Sequence, residues 1–114
     1  MEENVPVRVR TLWEVTSGDA FELVHAHRWP GSHWQPDSLY LDDDTGMQAL
    51  APYLSRVFPG FDPFGPNRIP CADWERLCAL CQAEEPVRFA PFFDAVRRWL
   101  EENRGADHFW ILGI

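Results

Sequence analysis

The sequence predicts an α+β fold in which an N-terminal antiparallel β-hairpin or sheet packs against about three helices and a buried C-terminal strand. Three observations support this class. Apolar residues alternate near the N-terminus, recur at helical spacing in the second half, and form a continuous run, HFWILG, over 108–113. The 114 residues, 46% hydrophobic and 14% aromatic, suffice for one soluble domain over 1–114 with its own core.

The N-terminal third of the chain predicts strands. Residues 5–15 (VPVRVRTLWEV) place valines at every second position opposite arginines, which is the alternation of a half-buried strand. Turn-forming residues over 16–19 (TSGD) precede a second extended segment over 20–29, and together they predict a β-hairpin. After a polar loop over 31–38, a third short strand is expected over 38–41.

The rest of the chain predicts helices before a final strand. Helix-spaced apolar residues indicate helices over about 46–57, 71–83 and about 90–103, the first capped by the preceding acidic run. The final strand is expected over 108–113 and buried on both faces. Residues 58–70 contain four prolines and two glycines, so they are predicted to lack regular structure.

The net charge of the chain indicates which classes of partner it can bind. Acidic residues number 18 against 10 basic ones, for a formal charge of -8, and such a chain repels nucleic acid and anionic membranes. It attracts a basic protein instead. The sequence shows no secretory signal, no apolar run of the roughly 18 residues that a membrane span needs, and an odd number of cysteines. These features predict a cytoplasmic protein.

Two histidines raise the possibility of a metal site. His25 and His27 lie two apart on a predicted strand and therefore share a face, and His33 or the run Asp42–Asp44 offers a third ligand. The alternative is that both histidines are solvated polar residues on a half-exposed strand. A metal-binding domain or small metal-dependent enzyme thus stays open as a second hypothesis, although no cofactor is predicted.

The cysteines allow two interpretations. Cys71, Cys78 and Cys81, together with His108, match a zinc ligand set by residue type. Zinc motifs, however, place closely spaced cysteines in a tight turn, whereas these fall on the apolar stripe of a predicted helix. The pattern favours packing, because a buried free cysteine behaves as a small hydrophobic residue.

Catalytic signatures are missing from the sequence. There is no G-x-S-x-G, H-E-x-x-H, Walker-type or G-x-G-x-x-G motif, and none of the serines lies in an activating context. No catalytic residue and no enzyme activity are therefore predicted.

Aromatic residues beside carboxylates on predicted loops suggest a docking surface for a basic protein. Rings would supply affinity, and charges would supply association rate and partner choice. The alternative is that the rings pack beneath the loops. The candidate partner-binding residues are Trp34, Asp37, Tyr40, Asp42, Asp43, Asp44, Phe61, Asp62 and Phe64.

The C-terminal half carries a resemblance. Ile69-Pro70, the stretch 73–77 (DWERL), the stretch 95–102 (AVRRWLEE) and the closing 110–114 (WILGI) resemble small bacterial immunity proteins of polymorphic-toxin and contact-dependent-inhibition systems. The resemblance implies a cytoplasmic inhibitor that binds one cognate toxin, often a nuclease, and it transfers no catalytic residue. A structural or adaptor subunit, with the aromatic residues serving self-association, is the third hypothesis.

Overall fold

The structure is a computed structural model that describes residues 7–15, 20–29, 35–102 and 105–113, with 44 and 45 described by their backbone only. Within these ranges it contains β1 (Ala20–His25), β2 (Leu39–Asp42), α1 (Gln48–Val57), β3 (Asn67–Pro70), α2 (Cys71–Glu84), α3 (Pro86–Glu101) and β4 (His108–Leu112). Sheet and helices mix along the chain, and the C-terminal strand belongs to the sheet, which confirms the predicted α+β class.

The strands form one antiparallel sheet in the order β2-β1-β4-β3. Ala20 at the start of β1 pairs with Asp42 at the end of β2, and Glu22 pairs with Leu112 at the end of β4. Every residue of the central strand β1 is buried, so both of its faces are covered. β4 is less covered than expected, because His108 and Trp110 stay half-buried on one of its faces.

The helices cover one face of the sheet and build an aromatic core. Buried positions on α3 recur at helical spacing, as the apolar stripe predicts. The indole of Trp74 on α2 meets Phe92 of α3 edge-on at 5.9 Å and Phe109 of β4 at 5.1 Å, measured between ring centroids. Each fully buried ring of this kind contributes about 1.5–3 kcal/mol through removal from water, so this cluster joins the two helices to the sheet.

The predicted strand over 5–15 is wrong for the residues that the structure describes. Arg10 forms an isolated antiparallel bridge with Tyr40, with two backbone hydrogen bonds of 2.8 Å, and Leu12–Glu14 form a 3-10 turn. Glu14 accepts a hydrogen bond of 2.8 Å from the backbone N–H of Thr11, so local capping competes with a strand ladder. β1 consequently pairs with β2, and the predicted turn over 16–19 lies outside the described residues.

The structure also corrects the expectation that 58–70 lacks regular structure, because β3 forms the sheet edge there. In this register the Cys71 N–H donates to the carbonyl of Asp107 at 2.8 Å, so the alternating residues Arg68 and Pro70 turn their backbone groups away from β4. A proline is tolerated at such an edge position because its missing N–H would have faced solvent.

Two helix starts differ from prediction. The acidic run does not cap α1 from outside, since Asp43–Met47 form a π-helical turn that leads directly into it. α3 begins at Pro86, earlier than expected, because proline at the first helical position lacks an N–H that would have no partner there. In the described part of the chain, no helix has both the length and the apolar character that crossing a bilayer requires.

Candidate functional site

The predicted docking residues are divided between the two ends of the sheet. Asp42 lies where β2 ends beside the start of β1, and Asp43 follows it. The Pro-rich loop reaches the same end, because the ring of Phe61 lies 6.3 Å from that of Phe21 in β1. We call this end, with Asp42, Asp43, Phe61, Asp62 and Phe64, the acidic end.

The other predicted docking residues lie elsewhere. Asp37 precedes β2 and belongs to the opposite end of the sheet, described below. Tyr40 has 0% exposure, and its hydroxyl lies 2.8 Å from the carbonyl of Gln35 and 3.2 Å from the carboxylate of Glu22. Burial raises the pKa of Tyr40. Its ring is core, so it offers a partner no surface. Trp34 and the side chain of Asp44 lie outside the described residues.

An apolar cleft of about 270 Å³ opens at the acidic end, between α1 and the Pro-rich loop. We call it the α1 cleft. Phe21, Met47 and Leu54 form its buried floor, while Phe58 and Phe61 form one wall. The remaining lining residues are Asp43, Gln48, Ala51, Ser55, Pro59 and Pro63.

Small side chains on α1 explain why the cleft is open. Ala51 and Ser55 are four residues apart, so they lie one above the other on the exposed flank of the helix. Neither side chain is large enough to fill the space between the helix and the Pro-rich loop. The sequence alone does not reveal this cleft. It forms only because residues 58–63, which are distant from Ala51 in the helix, pack beside the small side chains of α1.

The Pro-rich loop is held against the end of β4. A side chain at Gly113 would collide with the backbone carbonyl of Pro63 and with the backbone carbon of Phe64, so the two segments touch without any side chain between them. The carboxylate of Asp62 accepts a hydrogen bond of 2.9 Å from the N–H of Phe64, which fixes a tight turn. The ring of Phe64 is left 79% exposed at its tip.

The carboxylates of the acidic end differ in whether they form an ion pair. Asp42 forms an ion pair with Arg10, whose Nε lies 2.8 Å from its Oδ2 and whose pKa the contact raises. Neither Asp43 nor Asp62 joins an ion pair with any described residue. Among the described lining residues of the α1 cleft none is basic, so the negative charge there is uncompensated within this part of the chain.

The opposite end of the sheet is closed by mutual contacts; we call it the His25 end. The buried ring of His25 stacks on Trp99 with 3.9 Å between centroids and on His27 at 5.8 Å. The indole of Trp99 donates to the carbonyl of Asp37 at 2.7 Å, and the carboxylate of Asp37 binds Arg28 at 2.9 Å. Burial lowers the pKa of His25 from its ordinary 6.5, although Asp37 and Glu102 oppose the shift.

The predicted metal site that joins His25 and His27 to the acidic run is wrong. His25 ends β1 while Asp42 pairs with its first residue, so the histidines and the acidic run are separated by the length of the strand, about 17 Å. His33 lies outside the described residues. The described residues contain no group of three or more His, Cys, Asp or Glu side chains placed to hold a metal ion.

The cysteines lie on α2 as free thiols. Cys78 and Cys81 are buried and Cys71 is half-buried. Burial raises the pKa of all three, that of Cys81 to about 12, which favours the protonated thiols. His108 instead contacts the carboxylate of Asp107 at 2.8 Å.

The arrangement as a whole is an α+β fold with an apolar cleft beside carboxylates that form no ion pair with the described residues. Comparison of the chain with protein-family models, with curated proteins and with solved structures gave no match. The geometry is suited to binding, because it joins exposed apolar surface to charge.

Proposed function

We propose that this chain is an acidic protein-binding domain of the immunity type, which docks a basic partner, such as a cognate toxin, at its acidic end and thereby neutralises it. One observation carries the proposal: the exposed ring of Phe64 and the open α1 cleft lie beside Asp43 and Asp62, whose charges meet no basic group among the described residues. The sequence resemblance to immunity proteins supports the same class.

The two components of the acidic end would act differently. Burying the ring of Phe64 against a partner removes apolar surface from water and contributes about 1.5–3 kcal/mol before the cost of association. The carboxylates speed encounter with a positively charged surface, and this effect weakens with salt. A net charge of -8 adds to that attraction from a distance.

The test is growth protection. The reading frame encoded immediately beside this chain is expressed in a bacterial host with and without the chain. We expect arrest of growth by the neighbour alone and recovery when the chain is present. A neighbour that leaves growth unaffected, or an arrest that the chain does not relieve, contradicts the proposal.

A charge-matched pair of variants localises the effect. Asp43→Asn with Asp62→Asn removes two charges from the acidic end, and an asparagine at 62 keeps the side-chain oxygen that accepts from the N–H of Phe64. Glu84→Gln with Glu101→Gln removes two charges from the exposed ends of α2 and α3. Protection should fall in the first variant and persist in the second, and equal behaviour would remove the acidic end from the interface.

A further inference from the structure

The shape of the α1 cleft limits what it can hold. A dry apolar cavity of about 150 Å³ is enough to bind benzene. The α1 cleft, at about 270 Å³, therefore accommodates one aromatic or branched aliphatic side chain and is too small for several. Its floor of Phe21, Met47 and Leu54 presents no polar group that would need a hydrogen bond. An apolar side chain therefore matches the floor.

The rim adds a preference for charge. Asp43 lines the cleft, and Asp62 lies in the chain between the lining residues Phe61 and Pro63. A residue next to the apolar one in the occupant would lie within reach of one of these carboxylates. Lysine or arginine at that position gains an ion pair, whereas glutamate or aspartate meets like charge.

We propose that the α1 cleft receives a single aromatic or branched aliphatic anchor side chain from a basic protein, flanked in that protein by lysine or arginine. This inference rests on the proposed function and specifies how the partner is held. Phe64 then packs against the partner outside the cleft, so the α1 cleft and the tip of the Pro-rich loop contact the same segment of the partner on two sides.

The experiment titrates the ¹⁵N-labelled full chain at low salt with three acetylated pentapeptide amides: Arg-Arg-Trp-Arg-Arg, Arg-Arg-Gly-Arg-Arg and Glu-Glu-Trp-Glu-Glu. The first peptide should shift the amide signals of Met47, Ala51 and Ser55. The second peptide, in which glycine replaces tryptophan, should bind about tenfold more weakly or worse than the first, because burial of the indole is worth at least 1.4 kcal/mol. The third, acidic peptide should cause no shift. Equal binding of all three, or shifts that avoid the cleft, overturns the inference.

A filled cleft provides a second readout. Ala51→Trp occupies the opening from an exposed helical position, while Ala79→Trp places the same side chain on the exposed face of α2 as the matched control. The first should abolish the peptide shifts and the second should keep them.

The growth assay separates this inference from the proposed function. Protection that is lost in the Asp43→Asn, Asp62→Asn variant and kept in Ala51→Trp leaves the docking end intact and refutes the anchor. Absence of protection by the unmodified chain refutes the proposed function itself, whatever the peptides do.

Discussion

The two ends of the sheet use similar residues for opposite purposes. At the His25 end, rings and charges pack against one another: Trp99 stacks on His25 and donates to the carbonyl of Asp37, whose carboxylate pairs with Arg28. At the acidic end, Phe64 is exposed and Asp43 has no ion-pair partner among the described residues. Both ends combine carboxylates with aromatic rings, so composition alone does not distinguish a closed structural cluster from a docking surface.

This difference between the two ends predicts which property a substitution at each end should affect. Side chains that are packed and hydrogen-bonded carry folding stability, while exposed ones carry little of it and are available to a partner. Substitutions at the His25 end should therefore alter unfolding, and those at the acidic end should alter binding.

The largest effect is expected for Trp99→Ala. The substitution leaves a cavity against His25 and Phe109 and removes the donor to the carbonyl of Asp37. We expect the free energy of unfolding to fall by about 3–5 kcal/mol in urea denaturation. Trp99→Phe, which keeps a ring, should lose much less. A loss below about 1 kcal/mol for the alanine variant would break the comparison between the ends.

A smaller loss is expected for Gly113→Ala at the acidic end. The added methyl group would collide with the backbone at Pro63 and Phe64, so the loop must shift, at a cost of about 1–3 kcal/mol. Gly60→Ala is the matched control in the same loop, because nothing lies within 4 Å of the added carbon. If both variants melt alike, the loop is not held by the end of β4.

Acidification should weaken the fold through His25. Its folded pKa lies below 6.5, so the unfolded chain binds a proton more readily, and the free energy of unfolding falls as pH drops through 6.5 towards the folded pKa. Urea denaturation between about pH 7.5 and about pH 5.5 measures this. His25→Phe should flatten the dependence, because it removes the buried imidazole that takes up the proton. An unchanged dependence in His25→Phe would exclude His25 as its source.

The smallest effect on folding is expected for Phe64→Ala. With the ring 79% exposed, its removal should change the free energy of unfolding by no more than about 0.5 kcal/mol, measured by the same denaturation. A larger loss would mean that Phe64 stabilises the loop, which would weaken its assignment as a contact for a partner.

The sequence predicted the elements that have a clear period. The helices α1, α2 and α3 follow from helical spacing and β4 from an apolar run, while β2 follows from the polar loop that precedes it. The prediction failed for 5–15. The alternation of valine and arginine there indicates a strand, but the hydrogen bond between the Thr11 N–H and the Glu14 carboxylate favours a local turn instead. It also failed for β3, because an edge strand tolerates proline where an inner strand does not.

The candidate site was predicted only in part. Asp43 and Phe61 do line one cleft, and Asp62 and Phe64 lie in the same loop as Phe61, yet no local pattern separates these residues from Tyr40, which is buried. Exposure depends on strand register and on contacts across the chain, such as that between Gly113 and the loop. Such contacts have no signature in the residues themselves.

The most direct test compares the two ends in a single titration. The ¹⁵N-labelled chain is followed while the Arg-Arg-Trp-Arg-Arg peptide is added, and the amides of Ala51 and Phe61 are read against those of His25 and Trp99. We predict saturable shifts at the first pair, reduced by added salt, and none at the second. Shifts centred on the His25 end, or spread evenly over both, would contradict the account.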